Sequence, residues 1–156
     1  MKFPDFPLSD YMWFDEMTRT WHKELQDDNV IQAVPHIPVM CRFLQRNIDP
    51  IREYLALPLP ASSGFRCPAL NAAVGGATSS LHMAGRAVDL KRPEWTWDSI
   101  HKDVGPKILK CAFGADLKIK VILERKGFST WIHISESLEN SLWDGDNGVY
   151  RQLPMN

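Results

Sequence analysis

The stretch from Ser62 to Leu90, SSGFRCPALNAAVGGATSSLHMAGRAVDL, is a series of short segments separated by glycine and proline. Leu59–Phe65 (LPASSGF) starts apolar and is closed by Gly64, which reads as a strand entering a tight turn. Pro68 suits the first turn of a brief helix, PALNAAV, which Gly75 and Gly76 stop. Ala77–Leu81 then forms a loop that delivers His82, and RAVDL alternates as a strand with Asp89 near its end.

Upstream, Met12, Phe14, Met17, Trp21 and Leu25 recur at rough helical spacing, which predicts an amphipathic helix over Tyr11–Leu25. A longer helix is predicted over Pro38–Leu55, kinked or interrupted at Pro50 and ended by Pro58 and Pro60. Downstream, Trp95–Phe113 reads as the last helix, with a break at Gly105-Pro106. Lys118–Glu124 (KIKVILE) and Thr130–Ser135 (TWIHIS) are strands joined by RKGFS, a hairpin whose second arm carries His133. The tail from Glu136 to Asn156 contains a GDNG turn and no strong periodicity. Helices mixed with strands that end in an antiparallel hairpin predict an α+β fold, a small antiparallel sheet packed with helices.

A length of 156 residues with 44% hydrophobic content supports one core and one domain, 1–156. Within it, residues 1–57 form a helical part, 58–135 the core that holds the site, and 136–156 a tail. A net charge of -1 gives no electrostatic reason to expect nucleic acid as a partner. The N-terminal apolar residues are broken by Asp and Pro, unlike a secretory signal, and no later stretch is long and apolar enough to span a bilayer. The expected protein is therefore without a membrane partner. The cysteines Cys41, Cys67 and Cys111 are three in number and lack CxxC spacing, which predicts free thiols rather than a disulfide framework.

In SSLHMAGRAVDL an imidazole and a carboxylate flank a glycine turn, so that one loop can aim His82 and Asp89 at a single point. A distant second imidazole would complete three nitrogen and oxygen ligands. Such a set leaves tetrahedral zinc one open position, the catalytic rather than the structural pattern. His22, His36 and His101 read as ordinary surface or satisfied histidines, and most of the six tryptophans read as packing residues.

The motifs SGFR, LNAAVGGA and SxHxxGxAxD, the last complete through Ser80, His82, Gly85, Ala87 and Asp89, resemble the core of the M15 zinc peptidases. This is the D-alanyl-D-alanine carboxypeptidase-like group. WIHIS resembles the family's final zinc-ligand strand, and FDEMTRT and DPIRE are similar to segments of its phage-associated branch, so the likeness runs from about Phe14 to Ser135. The resemblance implies a Hedgehog/DD-peptidase-like zinc fold, with His82, Asp89 and His133 as zinc ligands. It further implies that Arg66 grips a substrate carboxylate or carbonyl, a role that suits the planar fork of a guanidinium.

The substrates implied are peptidoglycan stem peptides, cut by a D-Ala-D-Ala carboxypeptidase or a related endopeptidase. The protein would act as a monomer on the cell wall, from a bacterial cytoplasm or a phage particle. Several family members carry an acidic residue three positions before the last histidine as general base; here that residue is Thr130, which cannot take up a proton. Either another carboxylate serves, or the chain is a non-catalytic zinc-containing structural or cell-wall-binding module of a phage particle. Glu124, at the end of VILE, is the candidate base. It shares a face with His133 if it opposes Ser129 and not if it opposes Thr130. Ser80 and Ser63 are candidate hydrogen-bonding neighbours of ligand or substrate, and Trp131, on the His133 side of its strand, either walls the cleft against substrate or packs.

Overall fold

Local polar side chains break the first expected helix. The α1 helix spans only Phe14–Thr18, a 3-10 turn follows at Lys23–Leu25, and α2 spans Gln26–Ala33. Thr18 Oγ1 donates to the Phe14 carbonyl at 2.9 Å, Thr20 N–H donates to Gln26 Oε1 at 2.8 Å, and Thr20 Oγ1 accepts from His22 N–H at 3.1 Å. These side chains take over backbone groups that a continuous helix would use. Trp21, expected on the apolar face, stands in solvent.

The predicted breaks at proline take a specific form. The α3 helix (Ile37–Phe43) runs through a π turn at Leu44–Ile48 into α4 (Asp49–Leu55), so Pro50 lies in the first turn after a widened ladder. Proline lacks the N–H of an i→i−4 bond and collides with the preceding carbonyl, and a π turn absorbs both faults without ending the helix. The same device recurs later: α6 (Trp97–Ser99) passes through a π turn at Ile100–Val104 into α7 (Gly105–Gly114), just ahead of Pro106. Between these arms come β1 (Ala61–Ser63), α5 (Pro68–Ala73), a 3-10 turn at Leu81–Ala84 and β2 (Ala87–Leu90), as the motif spacing predicts.

Four further strands complete the fold: β3 (Ile119–Lys126), β4 (Ser129–Glu136), β5 (Ser141–Asp146) and β6 (Val149–Leu153). The structure is a computed structural model that describes residues 2–155; Met1 and Asn156, the ends of the expected domain, lie outside the described residues. The α+β class is as expected, but the sheet is larger than the sequence indicated. It has six strands in the order β1-β2-β4-β3-β5-β6, antiparallel except for the β3–β5 pair, which is parallel.

The tail supplies that surplus. Its sequence shows a GDNG turn without strong periodicity; Asn147 and Gly148 of that turn, at φ 49° and 84°, fold the chain into a hairpin whose first strand docks beside β3. The β6 strand is at the sheet edge and its first four residues are exposed, so it carries no inward-outward alternation to read.

Pairing register divides the sheet into two faces. Val88, Leu90, Ile119, Val121, Leu123, Ile132, Ile134 and Leu142 point to one side, where they join a buried apolar core with helix residues such as Met40, Phe43, Ile51 and Ile108. The opposite face carries a row formed by Asp89, His133, Ile122 and Trp143, each the register partner of the next. Glu124, Trp131 and Tyr150 lie on this same face, in the neighbouring row.

Candidate metal centre

Glycine brings the first ligand into place. A Cβ on Gly64 would lie 2.5 Å from the Met17 carbonyl oxygen, so only glycine lets the loop after β1 press against α1, where Phe65 N–H donates to Met17 at 2.7 Å. The Gly64 carbonyl then accepts from His82 Nδ1 at 2.7 Å. Ser80 begins the 3-10 turn that presents His82, its Oγ accepting from the His82 N–H at 3.2 Å. Ser80 therefore shapes the loop, whichever further partner it takes.

A carbonyl can only accept, so the Gly64 bond places the His82 proton on Nδ1 and the lone pair on Nε2. That Nε2 is buried and has no hydrogen-bond partner. It faces Asp89 Oδ1 at 3.4 Å, two acceptors turned towards each other. Asp89 Oδ1 also lies 3.0 Å from His133 Nδ1, and the imidazoles sit edge to face with centroids 5.1 Å apart. The ligand atoms of His82, Asp89 and His133 all lie within 4.8 Å of one another. A buried lone pair aimed at a carboxylate oxygen is an arrangement that a cation between them resolves, and imidazole with carboxylate is a donor set suited to zinc.

Arg66 stands behind Asp89. Its Nη2 donates to Asp89 Oδ2 at 3.0 Å, its Nε to Ser63 Oγ at 3.0 Å, and its Nη1 makes only a long contact, 3.4 Å, to Asn71 Oδ1. The ion pair ties one carboxylate oxygen and leaves the other for the metal, the arrangement by which outer groups orient a ligand. Ser63 thus supports the arginine. Asn29, wholly buried and unremarked in the sequence, locks this loop from α2: its Nδ2 donates to the Thr18 and Phe65 carbonyls and its Oδ1 accepts from Cys67 N–H at 2.7 Å. A lone asparagine in a helix gives no signal of such a role, since its partners come from distant segments.

Glu124 opposes Trp131, not Ser129 or Thr130, and this register has the parity that places it on the His133 face. Trp131 Nε1 donates to Glu124 Oε2 at 3.0 Å and the Tyr150 hydroxyl donates to Oε1 at 2.7 Å. Thr130, three residues before His133, points to the other side of β4, because strand side chains alternate. Of the remaining histidines, His22 pairs with Glu24, His36 stacks on Phe65, and His101 bonds the Trp97 carbonyl and Asp144; none belongs to the cluster.

Burial holds His82 below its ordinary value of 6.5. Burial alone would raise the Asp89 carboxyl, but the neighbouring imidazoles outweigh it, His133 through its hydrogen bond to Oδ1, and keep the group well below the usual carboxylate range. For the metal-free protein both shifts act in one direction. The unfolded chain takes up a proton at His82 from pH 6.5 downward while the folded chain resists it, so stability falls as pH drops below 6.5. A second loss, from Asp89, begins below 3.8. Melting temperatures of chelated protein between about pH 7.5 and pH 5 check this, with H82Q expected to flatten the upper part of the slope. An unchanged slope in H82Q would assign it to other groups.

Residues 11–135 match the family model described as Peptidase M15. No curated protein matches the chain.

Proposed function

Because this chain belongs to the peptidase M15 family, whose members are zinc metallopeptidases, we propose that it hydrolyses the stem peptides of bacterial peptidoglycan, as a D-Ala-D-Ala carboxypeptidase or a related endopeptidase. The observation that carries this reading is the unpartnered, buried Nε2 of His82 turned towards Asp89 beside His133. His82, Asp89 and His133 would hold zinc. When bound, the ion would polarise a scissile carbonyl and make water more acidic.

In this reading Glu124 takes the proton of the attacking water and returns it to the leaving amine. Its carboxylate is held at both oxygens, by the Trp131 indole and the Tyr150 phenol, so it meets the water with a fixed orientation. Arg66 secures Asp89 and keeps Nη1, in its long contact to Asn71, as a donor for a substrate carbonyl or carboxylate. Thr130 projects away from the ligands, so in this reading the base comes from Glu124 on the His133 face. Among the described residues no helix is long and apolar enough to cross a membrane. We place the action at the cell wall, reached from a bacterial cytoplasm or from a phage particle.

The test is mass spectrometry of purified peptidoglycan and its stem peptides after incubation with zinc-loaded protein. New fragments absent from a His133→Ala control are expected, and their masses identify the bond cut. Intact substrate with zinc bound would exclude the peptidase reading.

A further inference from the structure

Tyr150 belongs to β6, beyond the residues that match the family model, yet its side chain reaches back across β5 to the proposed base on β3. In the register, Trp131 on β4 faces Glu124 on β3, Glu124 faces Gly145 on β5, and Gly145 faces Tyr150 on β6. The β5 member of this row is the one residue type with no side chain. A Cβ on Gly145 would lie 2.6 Å from Tyr150 Cε1 and 3.3 Å from Glu124 Cγ. The missing side chain is therefore the space through which the tyrosine ring lies over β5 and places its hydroxyl 2.7 Å from Glu124 Oε1.

From this row we infer that Tyr150 is a positioning residue for Glu124 and that the C-terminal hairpin completes the active site, an inference that rests on the proposed role of Glu124 as base. A glutamate has three rotatable bonds, and an indole holding Oε2 alone leaves the carboxylate free to pivot about that contact. The phenol on Oε1 removes this freedom. Burial, the Glu124 bond and charge, and the charge of Asp89 push the Tyr150 phenol up to about 12, so it remains a donor at any pH at which the enzyme would work.

The experiment compares Y150F, G145A, E124Q, E124D and the double variant E124D/Y150F, all in the full chain. Tyr150 is more than half exposed on an edge strand, so removing its hydroxyl leaves the fold intact. G145A keeps the hydroxyl and displaces the ring, which makes it an independent route to the same loss. Two readouts are taken: steady-state hydrolysis of stem peptide, and the indole N–H resonance of Trp131, which reports the same carboxylate through its other oxygen without any need for turnover.

Expected are a fall in kcat of about tenfold in both Y150F and G145A with KM little changed, the size of one lost hydrogen bond. The Trp131 resonance should move in both, and Y150F should cost nothing further in E124D, whose shorter side chain already leaves the phenol. An unmoved resonance in Y150F, or an equal loss on adding Y150F to E124D, overturns the inference. Inactive E124Q with fully active Y150F overturns it while leaving Glu124 as base. Full activity in E124Q removes Glu124 from the mechanism and Tyr150 with it.

Discussion

Glu124→Gln is expected to lower kcat on stem peptides by about 10²–10⁴-fold, the usual contribution of a positioned general base. That corresponds to roughly 3–5 kcal/mol of lost transition-state stabilisation. The substitution isolates proton transfer because the amide preserves the surroundings. Its oxygen accepts from Trp131 Nε1, and its NH₂ donates to the Tyr150 hydroxyl, which turns to accept. Zinc stoichiometry by elemental analysis and the melting temperature should therefore stay at their wild-type values while turnover falls. Full turnover in the variant would exclude Glu124 as base and return the question to which carboxylate, if any, faces the water.

Why this residue could be nominated but not placed from sequence is a matter of register. The alternation of VILE and WIHIS shows which residues share a face within each strand, but the five residues RKGFS between them do not fix how the strands align. In the structure Gly127 and Phe128 make the turn, Lys126 pairs with Ser129, and the parity follows from that pairing. The ligands were easier to see. His82 and Asp89 are separated by a short loop and one strand, so local geometry converges them, and His133 lies directly opposite Asp89 across a ladder.

What escaped the sequence was set by distant contacts. Proline at positions 50 and 106 signals a fault in a helix but not that a π turn absorbs it. Asn29 acquires its role only when α1, α2 and the loop after β1 meet. The tail hairpin is exposed on its outer strand, and Tyr150 gains meaning only when Gly145 opens the way to Glu124. In each case the side chain follows ordinary local rules, and its partners lie far away along the chain.

Asp89→Asn should abolish useful zinc binding and destabilise even the metal-free protein. The carboxylate answers two demands at once: Oδ1 faces the imidazoles of His82 and His133, and Oδ2 accepts from Arg66. An asparagine can meet only one. With its NH₂ towards Arg66, two donors oppose each other; with its NH₂ towards the imidazoles, the metal meets N–H groups in place of a lone pair. In both orientations the Arg66 guanidinium, 14% exposed, loses its counter-charge. Breaking a buried pair on one side costs about 3–5 kcal/mol. For a chain of this length that is a fall of about 10 °C in the melting temperature of chelated protein. Zinc affinity, measured by competition with a chelator, should drop by more than about 100-fold, the upper end of what losing an outer-shell partner costs. His133→Ala provides the contrast. It also removes a ligand and its bond to Asp89 Oδ1, but it leaves Asp89 paired with Arg66, so its chelated form should lose less stability than that of D89N. A D89N protein that keeps both its zinc and its metal-free stability would show that Asp89 neither holds the ion nor balances Arg66.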